Sequence, residues 1–266
     1  MRPKIIIVTG AANGIGAAIT ELALQQGHYV IATDLSYPAL KAKWANTLNI
    51  RVFSVDVRQS AAWSYLIESL EKEGIEPDVL INVAGVLRTG ITGELTQEDI
   101  DLTLDVNVKG VINGTNAVAT GMRRRGHGHI INVGSVASLY PTPGTTLYAT
   151  SKFAVRGFSL AAAGDLRPYG IAVTLFGPGP VKTDMLEQQR WDENAALTFS
   201  GKRALSKEEV AAAILGPVLK KRPLEYFLPF KDELLGKISN AFPGFFLSQL
   251  NAARRRGMRH FSDRHF

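Results

Sequence analysis

Tyr148 and Lys152 stand four positions apart in the stretch LYATSKF, residues 147–153. On a helix that spacing puts both side chains on one face, one turn apart. A phenol with an ordinary pKa of about 10 is a poor acid–base group at neutral pH, and an ammonium beside it stabilises the phenolate and lowers that value. So placed, a tyrosine takes a proton from an alcohol or gives one to a carbonyl. The same two residues also fit an aromatic stem packed under a surface lysine. So short a motif does not choose between the two, and the rest of the chain must decide.

A second group of residues suggests phosphate binding. The apolar run KIIIVT, residues 4–9, passes into TGAANGIG, Thr9 to Gly16, which holds Gly10, Gly14 and Gly16 ahead of a helical pattern. Between a buried strand and a helix, such glycines allow a tight turn and a close backbone approach to a pyrophosphate, with the helix amides facing the phosphates. An ordinary tight turn is the competing reading. The next strand pattern, YVIATD, ends at Asp34, where a carboxylate accepts both hydroxyls of an adenosine ribose. A 2′-phosphate there would meet a like charge, worth about 4 kcal/mol at ~4 Å and an effective dielectric of about 20. Residues 9–20 and 35–40 contain no Arg or Lys to offset it. NAD is therefore expected in preference to NADP.

These residues need a scaffold. Strand patterns at 4–9, 29–33, 50–55, 78–83, 129–134, 171–176 and 225–228 alternate with helical patterns at 14–26, 37–47, 60–73, 96–107, 109–125, 147–167 and 206–220. Alternation of this kind implies right-handed crossovers and a parallel sheet, and strands that read as continuous apolar runs imply helices on both faces. The expectation is an α/β doubly wound sheet of about seven strands, residues 1–266 forming one domain. With 266 residues, 45% of them hydrophobic, the chain needs no covalent staple, and with no cysteine it has neither a disulfide nor a thiol nucleophile. A reducing, cytoplasmic home is compatible with that. The N-terminal apolar run ends at Gly10, too short for a signal peptide or a membrane span.

With the loop and the Tyr–Lys pair in place, the chain resembles the short-chain dehydrogenase/reductase family over residues 4–228, in the branch with a TGxxxGxG loop and a single Rossmann domain. Further motifs fall in the family's order: VDV at 55–57, NVAG at 82–85, DVNVKG with Asn107, INVGSVAS with Ser135, and GPGPVKTDM after the sixth strand. Thirteen residues separate Ser135 from Tyr148, similar to the family's spacing. Val83 departs from the family's NNAG pattern by replacing an asparagine. The resemblance implies a cofactor site of Gly10, Asn13, Gly14, Ile15, Gly16, Asp34, Asp56, Val57, Asn82, Ala84, Gly85, Tyr148, Lys152, Pro178, Gly179, Val181 and Thr183. In that site Asp56 contacts the adenine and Thr183 the nicotinamide carboxamide. The implied catalytic set is Asn107, Ser135, Tyr148 and Lys152. Ser135 hydrogen-bonds the substrate oxygen where charge develops, Asn107 holds a water linking Lys152 to solvent, and Lys152 also meets the nicotinamide ribose. The implied activity is interconversion of a secondary alcohol and a ketone by a homodimer or homotetramer, with helices near 109–125 and 147–167 at one interface. A non-catalytic dinucleotide-binding or membrane-associated scaffold is the alternative, but it has no need of the intact proton path. An epimerase would need more chain after residue 230.

Around the site, residues 186–205 are expected to form a lid over the substrate. Met185, Leu186, Trp191 and Phe199 either line an apolar pocket or anchor that loop. Leu139, Tyr140, Pro141 and Leu147 flank the catalytic residues and favour a hydrophobic substrate, steroid-, retinoid- or lipid-like. The extension 231–266 combines Phe242, Phe245, Phe246 and Leu247 with Arg254, Arg255, Arg256, Arg259 and Arg264. It is expected to pack over the cleft or against another subunit, with peripheral contact to an anionic membrane as the alternative. Of the net charge of +6, this tail from residue 250 carries +4, Asp263 included, and no nucleic-acid motif accompanies it. No nucleic-acid partner is expected, and no metal, since His127 and His129 lack further ligands.

Overall fold

The computed structural model describes residues 2–261, apart from the side chains of Lys231, Asp232 and Phe245, so Asp263 and Arg264 of the basic tail lie outside the described residues. Seven strands form one sheet: β1 (Ile5–Thr9), β2 (Tyr29–Asp34), β3 (Ile50–Ser54), β4 (Val79–Asn82), β5 (Gly128–Val133), β6 (Ile171–Pro178) and β7 (Glu225–Leu228). Their order is β3-β2-β1-β4-β5-β6-β7, and every neighbouring pair is parallel. Helices α1 (Gly14–Gln25), α2 (Tyr37–Trp44), α3 (Ser60–Lys72), α4 (Gln97–Leu104), α5 (Gly110–Arg125) and α6 (Thr146–Leu166) supply the crossovers as far as β6. After β6 come α7 (Asp184–Glu187), α8 (Lys207–Ala213), α9 (Leu219–Lys221), α10 (Phe230–Ala241) and α11 (Pro243–Arg259).

Strand periodicity sorts the core onto two faces. In β1, Ile6 and Val8 pack with Ala17 and Ile19 of α1 and Val210 of α8, whereas Ile7 turns to the other face, toward Trp63, Leu66, Val118 and Met122 of α3 and α5. Both faces are dry, which is why the strands read as unbroken apolar runs. The strand order reverses between β1 and β4, and that reversal opens a crevice beyond their C-terminal ends. Thr9, Gly10, Asn82 and Ala84 all come from there.

Helix continuity differs from the sequence expectation. Instead of separate helices at 96–107 and 109–125, α4 runs into α5 through a π-helical turn at Asp105–Lys109. A second π turn, Ile214–Val218, holds Pro217 inside what reads as one helix; proline removes an N–H from the ladder, and the wider turn accommodates it. The tail also contributes two helices that the strand–helix alternation did not include. Pro243 stands in the first turn of α11, where its fixed φ and missing N–H are tolerated.

Candidate active site

The glycine loop is built for close approach. Gly10 has φ +67°, and a Cβ there would stand 3.2 Å from the Cα of Ala84. A Cβ on Gly16 would stand 2.1 Å from the carbonyl oxygen of Gly10, so only glycine lets α1 begin directly behind the turn. Asn13 makes no side-chain cap at the start of α1, and no acidic residue lies in its first turn. The first amides of α1 thus face the crevice without an internal acceptor, as an anion-binding helix start requires. Thr9 Oγ1 accepts the amides of Val83 and Ala84 at 2.9 and 3.0 Å, tying the β1 and β4 ends together. Trp44 supports the loop from beneath, donating from Nε1 to the Ala11 carbonyl at 3.1 Å. Asp34 closes the loop's other side, its carboxylate accepting the amides of Ala12 and Ser36, both at 3.1 Å. A Cβ on Gly14 would come within 3.5 Å of Thr183 Cγ2, so the segment after β6 reaches back to the loop. Val181 is buried in the core, and Gly179 donates to the Leu228 carbonyl at 2.7 Å, which secures that segment. These features fit a dinucleotide.

Other residues expected at the cofactor also make contacts within the protein. Asp56 is clasped by Arg58, whose Nε and Nη2 donate at 2.9 and 2.8 Å, and this pairing holds the Asp56 carboxyl below its usual range. Val57 packs against Gly110, and its carbonyl takes the Trp63 and Asn113 side chains. Asn82 is turned into the core, donating to Asn132 Oδ1 at 2.9 Å, while Asn132 donates to Ser159 Oγ at 2.9 Å. These side chains tie β4, β5 and α6 together. Ile15 and Pro178 serve packing and strand pairing in the same way.

The four chemical residues converge from three elements. Ser135 follows β5 in extended backbone, and its hydroxyl accepts the Ala137 amide at 3.1 Å. Tyr148 and Lys152 share a face of α6, with the ammonium 5.4 Å from the Tyr148 ring centroid. Lys152 is buried and donates to the Val133 carbonyl at 3.1 Å. Asn107 sits in the π turn, fully buried; its amide donates to the Val86 carbonyl at 2.8 Å and to Ser151 Oγ at 3.0 Å, and its oxygen accepts the Val86 amide at 2.8 Å. Both Nδ2 hydrogens are committed, so any water held by this side chain must use the second lone pair of Oδ1. Ser151, which the sequence reading did not single out, donates onward to the Tyr148 carbonyl at 2.7 Å and so links the π turn to the catalytic helix. A Cβ on Gly85 would stand 3.2 Å from Asn107 Oδ1 and 3.9 Å from Lys152 Nζ, which places the NVAG turn in the same cluster.

The electrostatics add one condition. The expectation of an acidic phenol combined the Lys152 ammonium with the positive charge of an oxidised nicotinamide. In the free protein, burial pushes the Tyr148 phenol up to about 12, with the Ser135 hydrogen bond pulling only partly back. Burial also pulls the Lys152 ammonium down to about 8. Without a further positive charge, then, Tyr148 is protonated at neutral pH and suited to donate.

Above the cluster, three layers stack through two glycines. A Cβ on Gly144 would meet the Asn194 carbonyl oxygen at 2.1 Å, and one on Gly257 of α11 would meet the Ala196 carbonyl oxygen at 1.7 Å. Asn194 and Ala196 belong to a 3₁₀ turn, Glu193–Phe199, in the expected lid. Phe199 and Phe261 pack edge to face at 5.4 Å, and Arg190 donates to the Phe261 carbonyl at 2.9 Å. Leu186 and Phe199 are buried here, in a small core of their own, whereas Trp191 is exposed but packs at a tilt against Phe261. α10 lies on the loop after Ser135: Gly236 touches Leu139, Asn240 donates to its carbonyl, and Tyr140 stacks with Phe246 of α11. Replacing Gly257 with Ala should therefore destabilise the fold by about 1–3 kcal/mol, since the clash with a backbone carbonyl exceeds the gain in helix propensity. Thermal unfolding of the variant checks this, and an unchanged or raised Tm contradicts the packing.

Among the described residues, no group of three or more potential ligands gathers to hold a metal, and no helix is long and apolar enough to cross a membrane. His129 is buried in β5 on Thr174 Oγ1 at 2.9 Å, its ring kept neutral by burial, which lowers it to about 3.

A parallel sheet with this reversal, a glycine-cradled helix start, and a tyrosine and a buried lysine at its mouth define a nucleotide-dependent oxidoreductase. Comparison with known proteins agrees. The family model for short chain dehydrogenase matches residues 4–194, and the chain belongs to that family. It is 37% identical over 215 residues to NADP-dependent 3-hydroxy acid dehydrogenase YdfG of Escherichia coli K12, covering 79% of this chain and 87% of that one. It is 36% identical over 218 residues to the 3-oxoacyl-[acyl-carrier-protein] reductase FabG of Thermotoga maritima, covering 80% and 89%. A solved short-chain dehydrogenase from Streptomyces avermitilis superimposes with a TM-score of 0.80 at 25% identity, covering 96% of this chain and 98% of the other. The protein is thus a short-chain dehydrogenase/reductase acting on CH–OH groups.

Proposed function

We propose that the protein interconverts a hydrophobic secondary alcohol and its ketone with NAD(H), using Tyr148 as proton donor and acceptor. The observation that carries this reading is the convergence of Ser135, Tyr148 and buried Lys152 beside the glycine cradle. The nicotinamide, when bound, gives or takes the hydride. Gly10, Gly14 and Gly16 with the α1 amides would hold the pyrophosphate, Asp34 the adenosine ribose, and Thr183 and Lys152 the nicotinamide end. Tyr148 moves the proton at the substrate oxygen, and Ser135 steadies that oxygen through a hydrogen bond. Lys152 holds positive charge against the Tyr148 ring. Asn107 is a positioning residue, clamping the Val86 backbone and, through Ser151, the start of α6; any relay water rests on its remaining lone pair.

Residues 186–205 act as a lid and the described part of the C-terminal extension, 231–261, as its backing within a single Rossmann domain, a reading supported by the Gly144 and Gly257 contacts on either side of the lid turn. Tyr140 and Phe246, packed together beside the loop after Ser135, support an apolar substrate. Homodimer or homotetramer assembly through α5 and α6 is supported by exposed Phe153 and by Gly157 and Gly164, which face open space. A cytoplasmic home belongs to the same reading, supported by the absence of cysteine.

The preference for NAD(H) rests on Asp34, whose two backbone hydrogen bonds fix its carboxylate in place, and on Arg58 being occupied by Asp56. YdfG is named as NADP-dependent, so the cofactor is tested first. NADH should bind about tenfold or more tighter than NADPH, and Asp34→Ala should erase most of the difference. Calorimetric titration measures both, and a lower Kd for NADPH in the unaltered protein overturns the preference. Turnover against a panel of secondary alcohols and ketones, read by nicotinamide absorbance, tests the reaction; inactivity across apolar and polar members alike refutes it.

A further inference from the structure

The tail helices bury one face and leave the other bare. Phe230, Leu234 and Ile238 of α10, continued by Phe242 at its C-terminal cap, recur every fourth residue and so form one stripe. All four are exposed, Phe230 by 72% and Phe242 by 65%, and Leu235 beside them is exposed too. The opposite side of the same helix is occupied: Gly236 rests on Leu139, Asn240 bonds its carbonyl, and Ser239 is buried. The stripe therefore faces outward and contributes nothing to the attachment of α10. Apolar surface gathered in this way marks an interaction site on a folded chain.

The neighbouring charges identify the partner. On α11, Leu247, Arg254, Arg255 and Met258 fall on one side by helical spacing, and Leu247 and Met258 are exposed. Arg255, Arg256 and Arg259 have no carboxylate partner among the described residues, and Arg254 donates only to the Glu193 carbonyl, at 3.4 Å. Elsewhere on α10, Lys237 is paired with Glu233 one turn back. A second copy of this chain would satisfy the apolar stripe but would bring two sets of unpaired arginines together. An anionic lipid surface satisfies both, with hydrocarbon for the stripe and phosphate for the guanidinium groups.

We propose that the outer face of the α10–α11 pair docks on anionic bilayer surfaces. The stripe enters the boundary between headgroups and acyl chains, and Arg255 and Arg259 bind lipid phosphates. Packing over the cleft and membrane contact, set against each other as alternatives in the sequence, use opposite faces of one helix pair. Docking does not depend on the proposed substrate, although it would bring the loop after Ser135 close to a reservoir of apolar molecules.

The test is sedimentation of the full chain with vesicles of phosphatidylcholine alone and of phosphatidylcholine mixed with phosphatidylglycerol. Retention by the mixed vesicles should exceed that by the neutral ones by about tenfold and should fall as salt is raised. The double variants Leu234→Ser/Phe242→Ser and Arg255→Glu/Arg259→Glu should each lose most of that retention, with cofactor affinity unchanged. Equal binding to both vesicle types, or none by the unaltered chain, overturns the proposal. So does a fall in oligomeric mass by light scattering in the stripe variant with vesicle retention intact, which assigns the face to a second copy.

Discussion

Tyr148→Phe should reduce turnover by about 10³-fold or more in both directions while leaving NADH affinity within about twofold of the unaltered protein. The ring keeps its place on α6 beside the Lys152 ammonium, so packing and the cation–ring contact survive. Only the ionisable hydroxyl is lost, and with it the hydrogen bond from Ser135. No other titratable group of suitable reach appears in the cluster: Lys152 is bonded to the Val133 carbonyl, and Ser135 is weakly acidic and engaged by the Ala137 amide. Stopped-flow turnover with a reactive ketone, alongside calorimetric binding of NADH, separates the two effects. Retention of a tenth or more of the activity would give the proton to another group.

The second large effect is at Gly16. Adding one methyl group there sets a Cβ 2.1 Å from the Gly10 carbonyl oxygen and 3.1 Å from that of Thr9. Both neighbours are backbone, so no side chain can rotate away, and either the loop or α1 must shift. A movement of even a few tenths of an ångström misaims the first amides of α1, and electrostatic binding of a phosphate depends on that aim. Gly16→Ala should therefore weaken dinucleotide binding by about 10²-fold while the chain still folds, because the two core faces under α8 and α3 are untouched. Calorimetry with NADH, checked against circular dichroism, measures it. A native Kd in a folded variant would mean that the loop does not carry the phosphates.

Much of this site was legible in the sequence because it depends on local spacing. Glycines at 10, 14 and 16, an acid at the end of the second strand, and the Tyr148–Lys152 interval are one-dimensional patterns with direct geometric meaning. The apolar runs likewise announced a sheet covered on both sides, and the structure orders seven parallel strands accordingly. What escaped depends on contacts far apart in the chain. Thr9 stands in the quoted loop motif, yet its role appears only when β4 arrives beside β1. Asn82 is a motif residue whose side chain proves to bond Asn132, fifty positions away. The π turn around Asn107 has no periodicity signal of its own, since one added residue per turn is lost between two adjoining helical patterns. The desolvation of Tyr148 in the free protein was hidden for a related reason. Sequence spacing shows the cation and hides the burial, and burial dominates.

The tail teaches a similar lesson. Its phenylalanines and arginines were visible, but their division between two faces of α10 and α11 required Gly236 and Gly257 to be seen against Leu139 and Ala196. Glycine in a helical stretch reads as a weakness until the backbone it approaches is known.

The central claim is that a half-buried phenol changes its proton affinity when positive charge arrives beside it. Ultraviolet difference titration of tyrosinate, comparing the unaltered protein with Tyr148→Phe, isolates this one hydroxyl with and without oxidised dinucleotide. The account predicts ionisation at about 12 in the free protein and a marked downward shift with the dinucleotide bound. An unmoved pKa on binding, with alcohol oxidation still proceeding at neutral pH, would contradict it.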